Sequence, residues 1–432
     1  MNLNRLSLLL VVLLSPILAN ASPNIEHWQT TKGASVYFVE APELPMVDIK
    51  IAFDAGSARD GDNPGISLFT NSMLEEGAGD LSVEQIATGF DDLGAQLSSA
   101  AGMDMATISL RSLTQQDLLE PALKLFSTVV GRATFPNGAV ERVREQMLVS
   151  LTHQQQKPGT IASKAFYKSL YGNHPYASPE SGTEASVKAI TQVDLLNFYR
   201  KYYVSRNALV VIVGAVNRQR AEQIAEQVTQ HLPQGGKASK LPVPGDLPAQ
   251  EQRIEHDSSQ THILLGQLGY RRGDSDKFAL YLGNYILGGG GFVSRLTEEV
   301  REKRGLSYSV YSYFNPMRET GTFVLGLQTK NEQADESLKV LRETLQRFVE
   351  EGPTTKELIA AKSNITGGFP LKIDSNSDLM SYVLVIGFYG FPLDYLESFS
   401  KKINAVSVEQ IREAYQKHIE PDQMHLVMVG GK

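Results

Sequence analysis

The chain repeats itself. Thr191 to Gly214 reads as a hydroxyl, a short amphipathic helix pattern and an apolar run closed by glycine, and Ser407 to Gly430 reads the same way. Laid over each other at a constant offset of 216 residues, without a gap, the segments share Tyr199/Tyr415, Lys201/Lys417, Val211/Val427, Val213/Val429 and Gly214/Gly430, with Ala189/Ala405 just ahead. Each opens on an N-cap hydroxyl with a capping-box partner three residues on, Asp194 or Gln410, and each ends in a strand. An ungapped offset at the ends of two similar halves is the mark of duplication. It requires two related units rather than one large core, which 432 residues already favour.

From Leu232 to Gln250, four prolines and three glycines in 19 residues make an extended linker. The expected units are therefore 27–233 and 250–432, joined by 234–249. Val47, Ile49, Ile51 and Phe53 alternate with Asp48, Lys50 and Asp54, which predicts a half-buried strand. Met105–Leu110, Ile263–Leu268, Tyr308–Phe314 and Thr322–Leu327 predict further strands, and capping boxes at Ser82–Gln85 and Thr354–Glu357 predict helix starts. The expected class is α+β: two homologous domains, each a mostly antiparallel sheet with helices packed on one face.

Residues 1–21 read as a secretory signal, with Arg5 as the positive region, Leu6–Leu14 as the apolar stretch and Ala19-Asn20-Ala21 as the cleavage site. That apolar stretch is too short to span a bilayer and no later one reaches spanning length, so the expected location is periplasmic or secreted. The chain has no cysteine, which excludes disulfides, thiol catalysis and any Cys-ligated metal. Acidic side chains outnumber basic ones, 48 to 41, and no basic run stands out, which argues against nucleic acid as a partner. There is no G-x-S-x-G elbow and no phosphate loop. The acid pairs Glu75-Glu76, Asp91-Asp92 and Glu298-Glu299 are adjacent, so on helices they point apart and read as solvated faces.

The strand, loop, apolar helix and glycine that run into Gly65–Gly77 resemble the pitrilysin/insulinase-type zinc peptidases, which include the mitochondrial processing peptidase subunits. The resemblance implies an inverted zinc motif, H-x-x-E-H, on this helix. Two histidines four apart share a helical face and a metal, and the glutamate between them serves as the base of the bound water. Here the three positions hold Leu68, Asn71 and Ser72. The family's third ligand, a glutamate on a later helix, aligns with Ser150, with Glu145 nearby. Leucine has no donor atom, and asparagine and serine are poor zinc ligands. None of the eight histidines pairs with another at helical spacing, so no metal is expected in this chain.

The second half is closer to the pattern. Leu287–Leu296 carries Gly288, Gly289, Gly290 and Gly291, and Glu299–Val310 follows it. Together they resemble the family's C-terminal signature, in which an arginine and a tyrosine seven residues on hold the substrate backbone. Arg301 and Tyr308 have that spacing. Without the resemblance, Arg301 reads as a surface ion-pair residue among Glu298, Glu299 and Glu302, and Tyr308 as an aromatic at a strand edge. The glycines read as a helix end that permits close packing, or, by the resemblance, as a substrate-handling segment.

The family's two-gene arrangement implies a function. This chain would be the non-catalytic, substrate-binding half of a clam-shell heterodimer, and an H-x-x-E-H partner would bring the zinc. The substrate would be a short or unfolded peptide. The alternative is a non-enzymatic assembly protein or peptide-binding homodimer of the same fold.

Overall fold

The computed structural model describes residues 23–431, so the expected signal segment lies outside the described residues. The first half runs β1 (Glu26–Gln29), β2 (Ser35–Glu40), β3 (Met46–Phe53), α1 (Ile66–Ser72), β4 (Gly77–Ala78), β5 (Leu81–Ser82), α2 (Val83–Asp91), β6 (Gln96–Ala101) and β7 (Ala106–Leu113). It continues with α3 (Gln116–Gly131), α4 (Asn137–Gln155), α5 (Pro158–Tyr171), α6 (Glu184–Ala189), α7 (Gln192–Tyr202), β8 (Ala208–Gly214) and α8 (Arg218–Thr229). No helix or strand lies between 233 and 250. The second half runs β9 (Glu251–Ile254), β10 (Gln260–Leu268), α9 (Lys277–Asn284), β11 (Ser309–Asn315), β12 (Thr322–Lys330) and α10 (Ala334–Glu351). It closes with α11 (Thr355–Gly368), α12 (Asn376–Tyr389), α13 (Tyr395–Ala405), α14 (Val408–His418) and β13 (His425–Val429).

The offset of 216 extends far beyond the segments that revealed it. Shifted by that amount, β2, β3, β6, β7 and β8 fall on or within a few residues of β9, β10, β11, β12 and β13. The sheets have the same order, β1-β2-β8-β3-β7-β6 and β9-β13-β10-β12-β11, with β1 as an added edge strand. Pairing is antiparallel except between β2 and β8 and between β9 and β13. The capping boxes at Ser82/Gln85, Thr191/Asp194, Thr354/Glu357 and Ser407/Gln410 all form, with both reciprocal hydrogen bonds in place.

Each sheet carries its own half's helices on one face, as expected. In the first sheet Val36, Ile49, Ile108 and Ile212 join Phe69 of α1 and Phe126 of α3 in one core. The other face is not open, however. Every residue of β8 and β13 is buried, whereas a strand with one wet face would alternate. The cover comes from the opposite half: α12 lies on β8, β3 and β2, and α5 lies on β13 and β10. Tyr37, Val211 and Val213 thus share a core with Met380, Val383 and Ile386, and Val324, Val427 and Val429 share one with Ala162, Phe166 and Leu170. Each large apolar side chain so buried contributes roughly 1.5–3 kcal/mol. Moved by the repeat offset, α5 would fall on 374–387, which α12 nearly occupies, so the halves exchange equivalent helices.

A buried carboxylate stitches the seam between the halves. Asp104, in the β6–β7 turn and 5% exposed, accepts from the hydroxyl of Tyr176 (2.7 Å), the hydroxyl of Tyr389 (2.9 Å) and the backbone N–H of Arg318 (2.9 Å). Tyr389 ends α12, and Arg318 sits in the β11–β12 turn. No helix among the described residues is long and apolar enough to cross a membrane.

Candidate functional site

The helix that aligns with the zinc motif is α1, seven residues long. Asp60 holds its start, accepting from the backbone N–H groups of Gly65 (2.6 Å) and Ser67 (3.0 Å). Burial pushes the Asp60 carboxyl up to about 8, against the opposing pull of those two N–H donors. Leu68 is half-buried and packs on the first core. Asn71, only 2% exposed, is spent on structure: its Oδ1 accepts from the Tyr203 hydroxyl (3.0 Å) and its Nδ2 donates to the Thr107 carbonyl (3.4 Å). Ser72 is half-buried. Ser150 and Glu145 lie exposed on α4, where Ser150 Oγ accepts from Gln154 Nε2 (3.3 Å).

The group with metal-ligand geometry among the described residues is elsewhere, at Asp274, Asp276 and His418. Its donors are already paired: Lys417 Nζ and His418 Nε2 lie 2.7 and 2.9 Å from the same Asp276 oxygen. The Lys417 bond, followed by the His418 bond, holds the Asp276 carboxyl below its ordinary range. This is an ion-pair cluster at the end of α14.

Beyond Ser150, Gln154 helps to line a cleft of about 720 Å³ at the seam, with Met103, Lys164, Tyr167, Glu180 and Asn315 among its walls. Burial raises the Glu180 carboxyl and lowers the Lys164 ammonium, each toward its neutral form.

In the second half the structure brings Arg301 and Tyr308 together. Arg301 lies in a short π-helical turn, Thr297–Glu302, of the kind often found at functional sites. Gly305 then takes φ +61°, the left-handed conformation that ends a helix and turns the chain back, and its N–H bonds the Arg301 carbonyl at 2.8 Å. The reversal sets the Arg301 guanidinium 4.6 Å from the centre of the Tyr308 ring. It also lies over the Phe292 ring, at 4.8 Å. Tyr308 is 83% exposed and Phe292 74%.

The glycine tract divides in two. Gly288 is buried, and a Cβ there would come within 2.4 Å of Ser312 Oγ and 2.5 Å of Ser312 N, so glycine is what lets this turn approach β11. Gly289, Gly290 and Gly291 are exposed or half-exposed and lead to Phe292.

The ion-pair reading of Arg301 is met in part, by Glu302, and its neighbours are paired more closely. Arg295 forms a bidentate pair with Glu357, both bonds 2.7 Å, and Arg304 donates to the backbone and carboxylate of Glu299 at 2.7 Å. Lys303 pairs with Glu298 and Glu299. The Arg301 guanidinium donates no hydrogen bond among the described residues; its one ionic neighbour is Glu302, 3.4 Å from Nε. Its two terminal amino groups, away from Glu302, can still donate to a ligand. Sequence reasoning missed Phe292 and Asp104. An aromatic residue directly after four glycines was the available signal for the first, and nothing local signals the second.

Two duplicated α+β units, a motif helix carrying Leu68, Asn71 and Ser72 at its three key positions, and an arginine beside a tyrosine define a peptidase-type scaffold with a degenerate motif helix. Residues 35–184 match the family described as insulinase (peptidase family M16), and residues 189–365 match the peptidase M16 inactive domain. The chain belongs to the M16 peptidase family. A solved structure of a peptidase M16 inactive domain from Pseudomonas fluorescens is 45% identical, with a TM-score of 0.92, over 95% of this chain and 98% of that one. Among curated relatives, the "non-peptidase homolog YmxG" of Helicobacter pylori is 25% identical over 98% of both chains. The "uncharacterized zinc protease YmxG" of Bacillus subtilis is 24% identical over 90% of this chain and 94% of its own length.

Proposed function

We propose that this chain is the non-catalytic, substrate-binding subunit of a heterodimeric periplasmic zinc peptidase, and that its partner is an M16 chain carrying H-x-x-E-H. The observation that carries the reading is the contrast between two sites on one scaffold. The motif helix has Leu68, Asn71 and Ser72, with Asn71 bonded into the core. In the second half the half-buried Arg301 lies against the exposed Tyr308, and its guanidinium donates no hydrogen bond among the described residues. Alone, such a chain can grip a peptide but has nothing on α1 to activate water.

In this reading the partner's metal supplies the activated water. Arg301 donates its fork to a backbone carbonyl of an extended peptide, and Tyr308 donates its hydroxyl to a neighbouring one. A charge-assisted hydrogen bond of this kind contributes about 1.5–3 kcal/mol. Its loss corresponds to roughly a 10- to 100-fold fall in kcat/KM.

The test is reconstitution. The purified chain and the cognate H-x-x-E-H chain are assayed separately and mixed, on an unstructured fluorogenic peptide. The mixture is expected to cleave and each chain alone to be inactive, with Arg301→Ala weakening cleavage by the factor above and Tyr308→Phe by less. Full activity from the zinc chain alone, unchanged by this one, would overturn the proposal. Unchanged activity of the Arg301→Ala mixture, together with a stable homodimer of this chain, would favour the assembly-protein alternative. The location is tested by N-terminal sequencing of the exported protein, expected to begin at Ser22.

A further inference from the structure

We propose that Phe292 is a positioning residue, which with Tyr308 clamps the Arg301 guanidinium flat so that its N–H edge faces an incoming peptide carbonyl. This rests on the reading of Arg301 as a substrate-binding group and adds what holds it ready. Three observations carry it. The guanidinium lies over both rings, 4.8 Å from Phe292 and 4.6 Å from Tyr308. No hydrogen bond among the described residues fixes its orientation, unlike the bidentate pair of Arg295 or the double contact of Arg304, and its one carboxylate neighbour, Glu302, lies 3.4 Å from Nε and leaves the terminal amino groups unpaired. Finally, Phe292 is 74% exposed, a large apolar ring kept in water at the end of the glycine tract, so core packing does not account for it.

The physical logic is preorganisation. A free arginine side chain has many rotamers, and fixing it on binding costs affinity. Aromatic faces attract the flat face of a guanidinium and leave its edge donors unspent. A carboxylate partner would also fix the side chain, but by consuming those donors. Glu302 reaches only the Nε side, so it is the two rings that order the rest of the group while keeping its terminal donors available. The tract then has a division of labour: Gly288 lets the chain approach β11, and Gly289–Gly291 carry Phe292 across to Arg301.

One exposed cation–π contact corresponds to about a three- to fivefold change in an equilibrium constant. In the reconstituted complex, Phe292→Leu is therefore expected to raise KM about three- to fivefold with kcat within about twofold. Phe292→Trp should restore wild-type KM, and Phe292→Leu should add nothing in an Arg301→Ala background. A full loss from Phe292→Leu in that background would mean that the ring meets the substrate itself, and would overturn the proposal, as would a wild-type KM for Phe292→Leu.

A second readout needs no partner and no activity. With arginine labelled with ¹⁵N, the Arg301 Nε–Hε signal, assigned by its disappearance in Arg301→Lys, is expected upfield under the ring currents and should move downfield in Phe292→Leu. An unmoved signal removes the clamp. If instead Arg301→Ala leaves peptide cleavage intact while this signal moves, the clamp stands and the substrate-binding reading of Arg301 is what fails.

Discussion

The carboxylate of Asp104 offers the sharpest test of how the halves are held together. Asp104→Ala strips the acceptor from three donors at once. The Tyr176 hydroxyl sits in a fully buried side chain and loses an acceptor at a cost of about 1–3 kcal/mol. The Tyr389 hydroxyl and the Arg318 N–H are only partly buried, and each loses about 1 kcal/mol because water can replace the oxygen. Removing a 5% exposed charge returns some desolvation energy, which leaves a net loss of about 3 kcal/mol. Asp104→Asn keeps one acceptor oxygen and should cost about 1–2 kcal/mol. The assay is urea unfolding followed by fluorescence. With a slope of about 3 kcal/mol/M, the alanine variant should move the midpoint down by about 1 M. Two of the three bonds cross the seam, so Tyr389→Phe should cost much less in the Asp104→Ala background than in the wild type. A loss below about 1 kcal/mol for Asp104→Ala, or full additivity with Tyr389→Phe, would refute the reasoning.

Two further outcomes follow from the site residues. Zinc analysis of the purified chain, after exposure to zinc and desalting, is expected to give far less than one equivalent; one full equivalent that disappears on Ser72→Ala or Ser150→Ala would refute the degenerate-motif reading. Burial alone would raise the Glu357 carboxyl, but Arg295 and the Thr354 hydroxyl and N–H outweigh it and hold it at about 2 in the folded chain, against an ordinary 4.5. A depressed carboxyl stabilises above its unfolded value and loses that stability as pH falls from about 4.5 toward about 2. Discounted for its 30% exposed side chain, the contribution is about 1–2 kcal/mol. The stability advantage over Glu357→Gln, measured by urea midpoints, should be present at pH 6 and absent near pH 2.

Much of this was legible in the residues, and what was not has identifiable causes. The strand at β3 declared itself by alternation, β7, β10, β11 and β12 by their apolar segments, and four helix starts by their capping pairs. The Arg301–Tyr308 pairing was legible because it is local, a helix turn reversed by Gly305. The second cover of each sheet was only half legible. Val210–Val213 and Leu426–Val429 are continuous apolar runs, the pattern of strands buried on both faces. The helix that covers each one comes from the other half, and no window along the chain connects them. Asp104 is harder still. Its three partners come from the α5–α6 connection, the end of α12 and the β11–β12 turn, so only the folded chain shows that one carboxylate serves them all.

The repeat also relates the two sites to each other. Moved by 216, the degenerate stretch Leu68–Ser72 falls on Asn284–Gly288, the end of α9 and the first of the four glycines. The two copies fill these positions in different ways. In the first, Asn71 took over a buried hydrogen bond to Tyr203, so a glutamate there must fit a site already filled. In the second, Asn284 accepts from Ser312 Oγ at 2.8 Å and Gly288 leaves no room for any side chain against β11. Placing zinc ligands on either helix therefore needs several substitutions, of which those at Asn71 and Gly288 disturb a packed contact. The arginine platform depends on one side chain with two rings beside it, and one substitution abolishes it. The proposed role, in which a ligand is held at Arg301 and acted on by a partner, rests on this contrast between the two halves, and the reconstitution test decides it.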